Sequence, residues 1–132
     1  MDIVILGGSG QLGKTLFSLL KENFKIISFT KSELSITEKT KVNAVIAKYA
    51  PAFVINCSAY TKVDLAEKEN DLALEINFHG VKNLCHACKK SQSTLIHFST
   101  DYVFDGKKQS PYVESDSTNP LNAYGASKLK GD

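Results

Sequence analysis

Short apolar runs recur along the chain, separated by stretches of helical periodicity. Ile3-Val4-Ile5-Leu6 is continuous and ends at glycines, as expected of a strand buried on both faces. Gln11 to Glu22 carries Leu12, Leu16, Leu19 and Leu20 at helical spacing. Lys25 to Phe29, Phe53 to Asn56 and Thr94 to Phe98 read as further strands. Ser35, with Glu38 three residues on, predicts a capping box, and Pro51 closes the helix that follows. Asp71 to Lys89 predicts one long helix with an inward stripe through Ala73, Ile76, Asn77, Gly80, Val81, Leu84 and Cys88. Ala123 to Asp132 reads as the opening turns of a last helix. Strands and helices therefore alternate, which implies an α/β domain with a parallel sheet and right-handed crossovers. The polar, turn-rich span from Asp101 to Asn122 is long enough to predict a functional loop.

Composition narrows the class. An apolar share of 42% and a charged share of 23% are those of an ordinary soluble domain, so residues 1–132 are expected to form one unit. There is no apolar run of about 18 residues and no signal-type leader, so a cytoplasmic location without membrane contact is expected. The net charge is only +2, and its scattered cations leave no nucleic-acid footprint. Every cation is a lysine; without arginine, any bound phosphate must be held by backbone N–H groups or by lysine. The three cysteines are too sparse for a disulfide framework. Cys85-His86-Ala87-Cys88 lies inside a helix and lacks partners for zinc, so it reads as core packing. His79, His86 and His97 share no ligand spacing and are expected to be structural.

The first strand runs into Gly7-Gly8-Ser9-Gly10-Gln11-Leu12-Gly13. Glycines at 7, 10 and 13, between a strand and a helix, suit a turn that brings backbone close to a pyrophosphate at a helix N-terminus. The expected architecture is a Rossmann-type, doubly wound parallel sheet. A dinucleotide site usually places an acid near the end of the second strand to hold the ribose. Here Thr30 and Lys31 stand there instead, and a hydroxyl with an ammonium favours a 2′-phosphate. NADP(H) is therefore expected over NAD(H), with Glu33 as the competing acid for an NAD(H) site.

After the fourth strand come Ser99-Thr100-Asp101, and later Tyr124-Gly125-Ala126-Ser127-Lys128. Tyr124 and Lys128 are four apart and share a helix face. A cation beside a phenol stabilises the phenolate and eases proton exchange. A hydroxyl at a strand's carboxyl end can donate to a carbonyl oxygen as negative charge grows on it. Thr100, Tyr124 and Lys128 together suit ketone reduction by a nicotinamide cofactor.

With these motifs in place, the chain resembles the extended short-chain dehydrogenase/reductase superfamily and, within it, the dTDP-4-dehydrorhamnose reductase family. The matching stretches are ILGGSGQLG, KSELSITE, VINCSAYTKVDLAE, INFHGVKNL, FSTDYVFDG, PYVESD and NPLNAYGASKLKGD. The resemblance implies that Thr100, Tyr124 and Lys128 are catalytic and that Asp101 assists. It implies that Gly7, Gly10, Gln11, Leu12 and Gly13 line the pyrophosphate. Cys57, Ser58, Ala59 and Tyr60 would run along the inner ribose and nicotinamide, and Asn77 would brace the sheet near the site. The implied substrate is a nucleotide-sugar, a dTDP-sugar, and a homo-oligomer is possible. The family commonly carries acids where this chain has Thr30 and Ser35. Its members are much longer, so the chain is expected to be an N-terminal portion without the substrate domain. Such a portion should leave an exposed sheet edge and an apolar patch. The alternatives are a non-catalytic nucleotide-binding or regulatory module, and an epimerase or dehydratase relative on the same scaffold.

Overall fold

The computed structural model describes residues 2–132. Its sheet contains β1 (Asp2–Leu6), β2 (Lys25–Phe29), β3 (Phe53–Asn56) and β4 (Thr94–His97), all parallel, in the order β2-β1-β3-β4. The helices are α1 (Gln11–Leu20), α2 (Lys39–Tyr49), α3 (Val63–Ala66), α4 (Asn70–Leu74), α5 (Val81–Ser91) and α6 (Ala123–Gly131). Side-chain alternation divides the two faces of the sheet. Val4, Leu6 and Val54 pack against Val42 and Ile46 of α2 and Leu84 and Cys88 of α5. Ile3, Ile5 and Ile55 face the other way, against Leu16 and Leu20 of α1. Helices thus cover both faces, as the unbroken apolar run of β1 implies. Among the described residues, no helix is long and apolar enough to cross a membrane.

Several local expectations are corrected. The Ser35–Glu38 capping box does not form. The helix begins later, at Lys39, and Glu38 at its N-cap makes no side-chain cap bond. Ser35 turns locally instead: its hydroxyl pairs with that of Thr37 at 2.9 Å, a short-range alternative open to Ser and Thr.

The single helix expected from Asp71 to Lys89 is α4 and α5 joined by a π-helical turn, Glu75–Gly80. Asn77 and Gly80 are the buried residues of that turn. A Cβ at Gly80 would stand 2.6 Å from the Ile36 side chain, so the turn packs tightly there. Periodicity cannot register one extra residue in a turn, and such bulges gather at functional sites.

The stripe on α1 is also only half used. Leu16 and Leu20 pack inward, but Leu12 and Leu19 are 40% and 67% exposed. Beyond β4, the described sheet has no further strand, and Ile96 and Phe98 are 38% and 39% exposed. The open sheet edge expected from the sequence is present, with these two apolar side chains partly open to solvent at its carboxyl end. The loop after the 3₁₀ turn Asp101–Val103 is ordered around Asp105, which accepts from the Lys107 N–H, the Tyr112 hydroxyl and the Asn119 amide.

Candidate active site

β1 and β3 are neighbours, but the helices that follow them lie on opposite faces, and this opens a crevice at their carboxyl ends. Two glycines make the crevice possible. Gly7 has φ 78°, and a Cβ there would sit 2.8 Å from the Cys57 backbone. A Cβ at Gly13 would sit 2.4 Å from the Gly7 carbonyl. The turn after β1 therefore lies directly against the chain leaving β3. Gly10 caps α1 with no side-chain cap bond, so the first N–H groups of α1 face the crevice with the positive end of the helix dipole. An anionic group fits there without any arginine.

The crevice holds a cleft of ≈ 600 Å³. Gly10, Gln11 and Leu12 form one wall, Cys57, Ser58 and Ala59 a second, and Tyr124 and Lys128 a third. A smaller hollow of ≈ 190 Å³ adjoins it, sharing Gly10, Cys57, Ser58 and Ala59. Gly7 and Lys31 stand at its rim, and Leu34, Ile36 and Ile76 give it apolar sides suited to a flat base. Thr30 and Lys31, with Ser9 and Ser32, border a shallow groove beside it. Glu33 reaches into this region: its carboxylate accepts from the Thr30 N–H at 2.7 Å and the Thr30 hydroxyl at 2.8 Å. These bonds, the backbone one foremost, hold its carboxyl below the usual range.

Tyr124 and Lys128 are placed by α6, whose N-terminus is capped twice. The Asn122 side chain accepts from the Gly125 N–H at 2.7 Å, and the Glu67 carboxylate accepts from the Ala123 N–H at 2.7 Å. A Cβ at Gly125 would lie 2.2 Å from the Tyr102 carbonyl, so the helix is pressed onto the 3₁₀ turn. The Tyr102 ring meets Tyr124 edge-on, with centroids 5.6 Å apart. Lys128 is buried, and its Nζ donates to the Phe98 carbonyl at 2.5 Å. Burial pushes its pKa down, while Asp132 opposes the shift.

Asn77 ties these parts together from beneath. Its side-chain oxygen accepts from the Tyr60 N–H at 2.9 Å. Its NH₂ group donates to the Tyr60 carbonyl and to the Ser127 hydroxyl, each at 3.0 Å. The Ser127 hydroxyl in turn donates to the Tyr124 carbonyl at 2.7 Å. The bracing expected of Asn77 thus joins the segment after β3 to the helix that carries Tyr124 and Lys128.

Not every predicted residue reaches the cleft. Tyr60 packs with Ala66, Ala73 and Tyr124, and its hydroxyl donates to Glu69 at 2.7 Å. Burial and that carboxylate push its pKa up to about 12. Thr100 and Asp101 stand outside the cleft wall. The Thr100 hydroxyl donates to Asp101 at 3.1 Å and accepts from the Tyr102 N–H at 3.3 Å, capping the 3₁₀ turn. Ser99, Thr15 and Thr61 line the cleft and were not anticipated, nor was Asn56 at the end of β3. The available signal for Asn56 was a polar residue closing an otherwise apolar strand.

The family model described as the RmlD substrate binding domain matches residues 1–132. A dTDP-4-dehydrorhamnose reductase of Aggregatibacter actinomycetemcomitans is 42% identical over 132 residues, covering 98% of this chain and 45% of the relative. One from Burkholderia thailandensis is 39% identical, covering 100% of this chain and 44% of the relative. The chain spans about half the length of the curated relatives it matches. The crystal structure of a Bacillus anthracis dTDP-4-dehydrorhamnose reductase in complex with NADP superposes with a TM-score of 0.96 at 44% identity, over 98% of this chain and 47% of that one. A Brucella ovis UDP-glucose 4-epimerase, only 22% identical, shares the fold with a TM-score of 0.91. Glycine turn, cleft and Tyr–Lys helix therefore occur here in the setting of a family to which this chain belongs, that of the RmlD substrate binding domain.

Proposed function

We propose that residues 1–132 form the cofactor-binding part of an NADP(H)-dependent reductase of a 4-keto nucleotide-sugar, a dTDP-sugar. The carrying observation is that a single cleft brings Tyr124 and Lys128 against the uncapped N-terminus of α1. The pyrophosphate would lie on Gly10, Gln11, Leu12 and the turn that Gly7 and Gly13 shape. The inner ribose and nicotinamide would run along Cys57, Ser58 and Ala59. When bound, the reduced nicotinamide supplies hydride to a keto carbon. Tyr124 delivers the proton to the carbonyl oxygen. The Lys128 ammonium holds the ribose diol and eases proton loss from the phenol. Thr100 stabilises the growing charge on that oxygen, with Asp101 assisting; this requires its hydroxyl to leave the bonds it makes within its own turn.

The NADP in the Bacillus anthracis relative supports NADP(H), as do Thr30 and Lys31 beside the hollow. NAD(H) is the second reading, because the Glu33 carboxylate on Thr30 is an acid of the kind that holds an unphosphorylated ribose.

The test is Tyr124→Phe in the complete gene product, assayed against 4-keto dTDP-sugars and titrated with both cofactors. Turnover should fall by about 100-fold or more while cofactor affinity stays nearly unchanged. Retained turnover removes Tyr124 from the acid role. Tighter binding of NAD(H) than of NADP(H) overturns the cofactor assignment.

A further inference from the structure

Behind Lys128, at the carboxyl ends of β3 and β4, lies a polar cluster that the proposed reaction does not use. Asn56 and His97 are register partners on adjacent strands; their side chains meet, and the far side of the His97 ring reaches Lys128 of α6. Asn56 is buried, and its amide orientation is fixed by a neighbour. The Ser58 N–H donates to its oxygen at 3.0 Å, so its NH₂ group is the end that meets His97 Nδ1 at 3.1 Å. Nδ1 must therefore accept, and a neutral ring with an accepting Nδ1 carries its proton on Nε2.

That choice has consequences on the far side of the ring. His97 Nε2 stands 3.4 Å from Lys128 Nζ and 3.7 Å from Asp132 Oδ1. An Nε2–H and an ammonium are both donors, so they cannot bond each other. The lysine proton goes instead to the Phe98 carbonyl. The charged groups that act on the ring are Lys128 in α6 and Asp132 directly after it, and β3 contributes only the uncharged Asn56. Protonating the ring would turn a second N–H onto the Asn56 NH₂ group. Burial and the Lys128 charge also hold the ring neutral, against the pull of Asp132.

We propose that His97 is a positioning residue for Lys128: locked by Asn56 with its proton on Nε2, it offers the lysine amine a donor rather than an acceptor and so turns that amine toward the Phe98 carbonyl and the cleft. This fixes where the ammonium meets a ribose. The proposal rests on the reading of Lys128 as a cofactor contact.

Two measurements test it. In the unaltered folded chain, long-range ¹H–¹⁵N spectra should show His97 in the Nε2–H tautomer at neutral pH; an Nδ1–H tautomer overturns the proposal without any use of activity. In the complete gene product, cofactor dissociation constants are measured for the natural protein, for His97→Gln and for His97→Phe. The Gln oxygen can accept from Asn56 while its NH₂ group faces Lys128, so His97→Gln should bind within about threefold of the natural protein, whereas His97→Phe, which fills the space with neither group, should weaken binding by about tenfold. Equal weakening by both substitutions, or none by His97→Phe, assigns His97 to packing alone and sinks the proposal. If the natural protein binds neither cofactor, it is the reading of the cleft that fails, and the tautomer still decides what Asn56 does to His97.

Discussion

Tyr60 shows how a residue can carry the right motif and a different task. Its place after β3 invites a cofactor role, but its hydroxyl is spent on Glu69 and its backbone on Asn77. Its pKa rises from 10.0 to about 12, chiefly through burial. A raised folded-state value means that the contribution is whole below pH 10 and is lost as pH climbs toward 12, because only the unfolded chain ionises in that window. Tyr60→Phe should therefore lose less stability than the natural chain between those limits, as urea midpoints at stepped alkaline pH would show. The residue chemistry that was legible, Tyr124 with Lys128 and the glycines, follows from fixed spacing on one helix or in one turn. What was not legible depended on tertiary placement. Ser99 rather than Thr100 borders the cleft, because the Thr100 hydroxyl caps the 3₁₀ turn. His97 gains its setting from Asn56 and Lys128, which are 41 and 31 positions away in the chain.

Among elements, strand existence was legible throughout, since each apolar run became a strand, with only the last one ending a residue early at His97. Helix starts and interiors were less so. Ser35 and Glu38 have the right spacing for a capping box, but local hydroxyl pairing with Thr37 wins. The π-helical turn was invisible because it leaves no mark on apolar spacing, and the partners of its buried Asn77, Tyr60 and Ser127, lie 17 and 50 positions away in the chain. Helix ends carry their own strain. α2 stops at Ala50, which adopts φ 38° and ψ 53° with its N–H bonded to Ile46, a left-handed cap that favours glycine. The position is exposed. Relief of the Cβ strain exceeds the added freedom of the unfolded chain, so Ala50→Gly should stabilise by about 0.5 to 1 kcal/mol. A urea titration checks this, and a lower midpoint would show the strain to be absent.

For the molecule as a whole, the two faces of the sheet are unequally covered. The face toward α2 and α5 is closed over Val4, Leu6 and Val54. The opposite face has α1 alone over Ile3, Ile5 and Ile55. Ile96 pairs with Ile55 in register and so points the same way, yet it remains 38% exposed at the edge of the described sheet. An unpaired strand edge beside apolar side chains is a template for association. The 132-residue chain on its own should therefore associate as its concentration rises, and Ile96→Lys should reduce this by placing a charge on the open edge. Leu121→Lys is the control: Leu121 is 68% exposed, more than Ile96, but it lies in the loop before α6, away from any strand. Sedimentation velocity over a concentration series separates the two substitutions. Equal effects would trace association to apolar exposure in general; an effect of Ile96→Lys alone would trace it to the edge of β4.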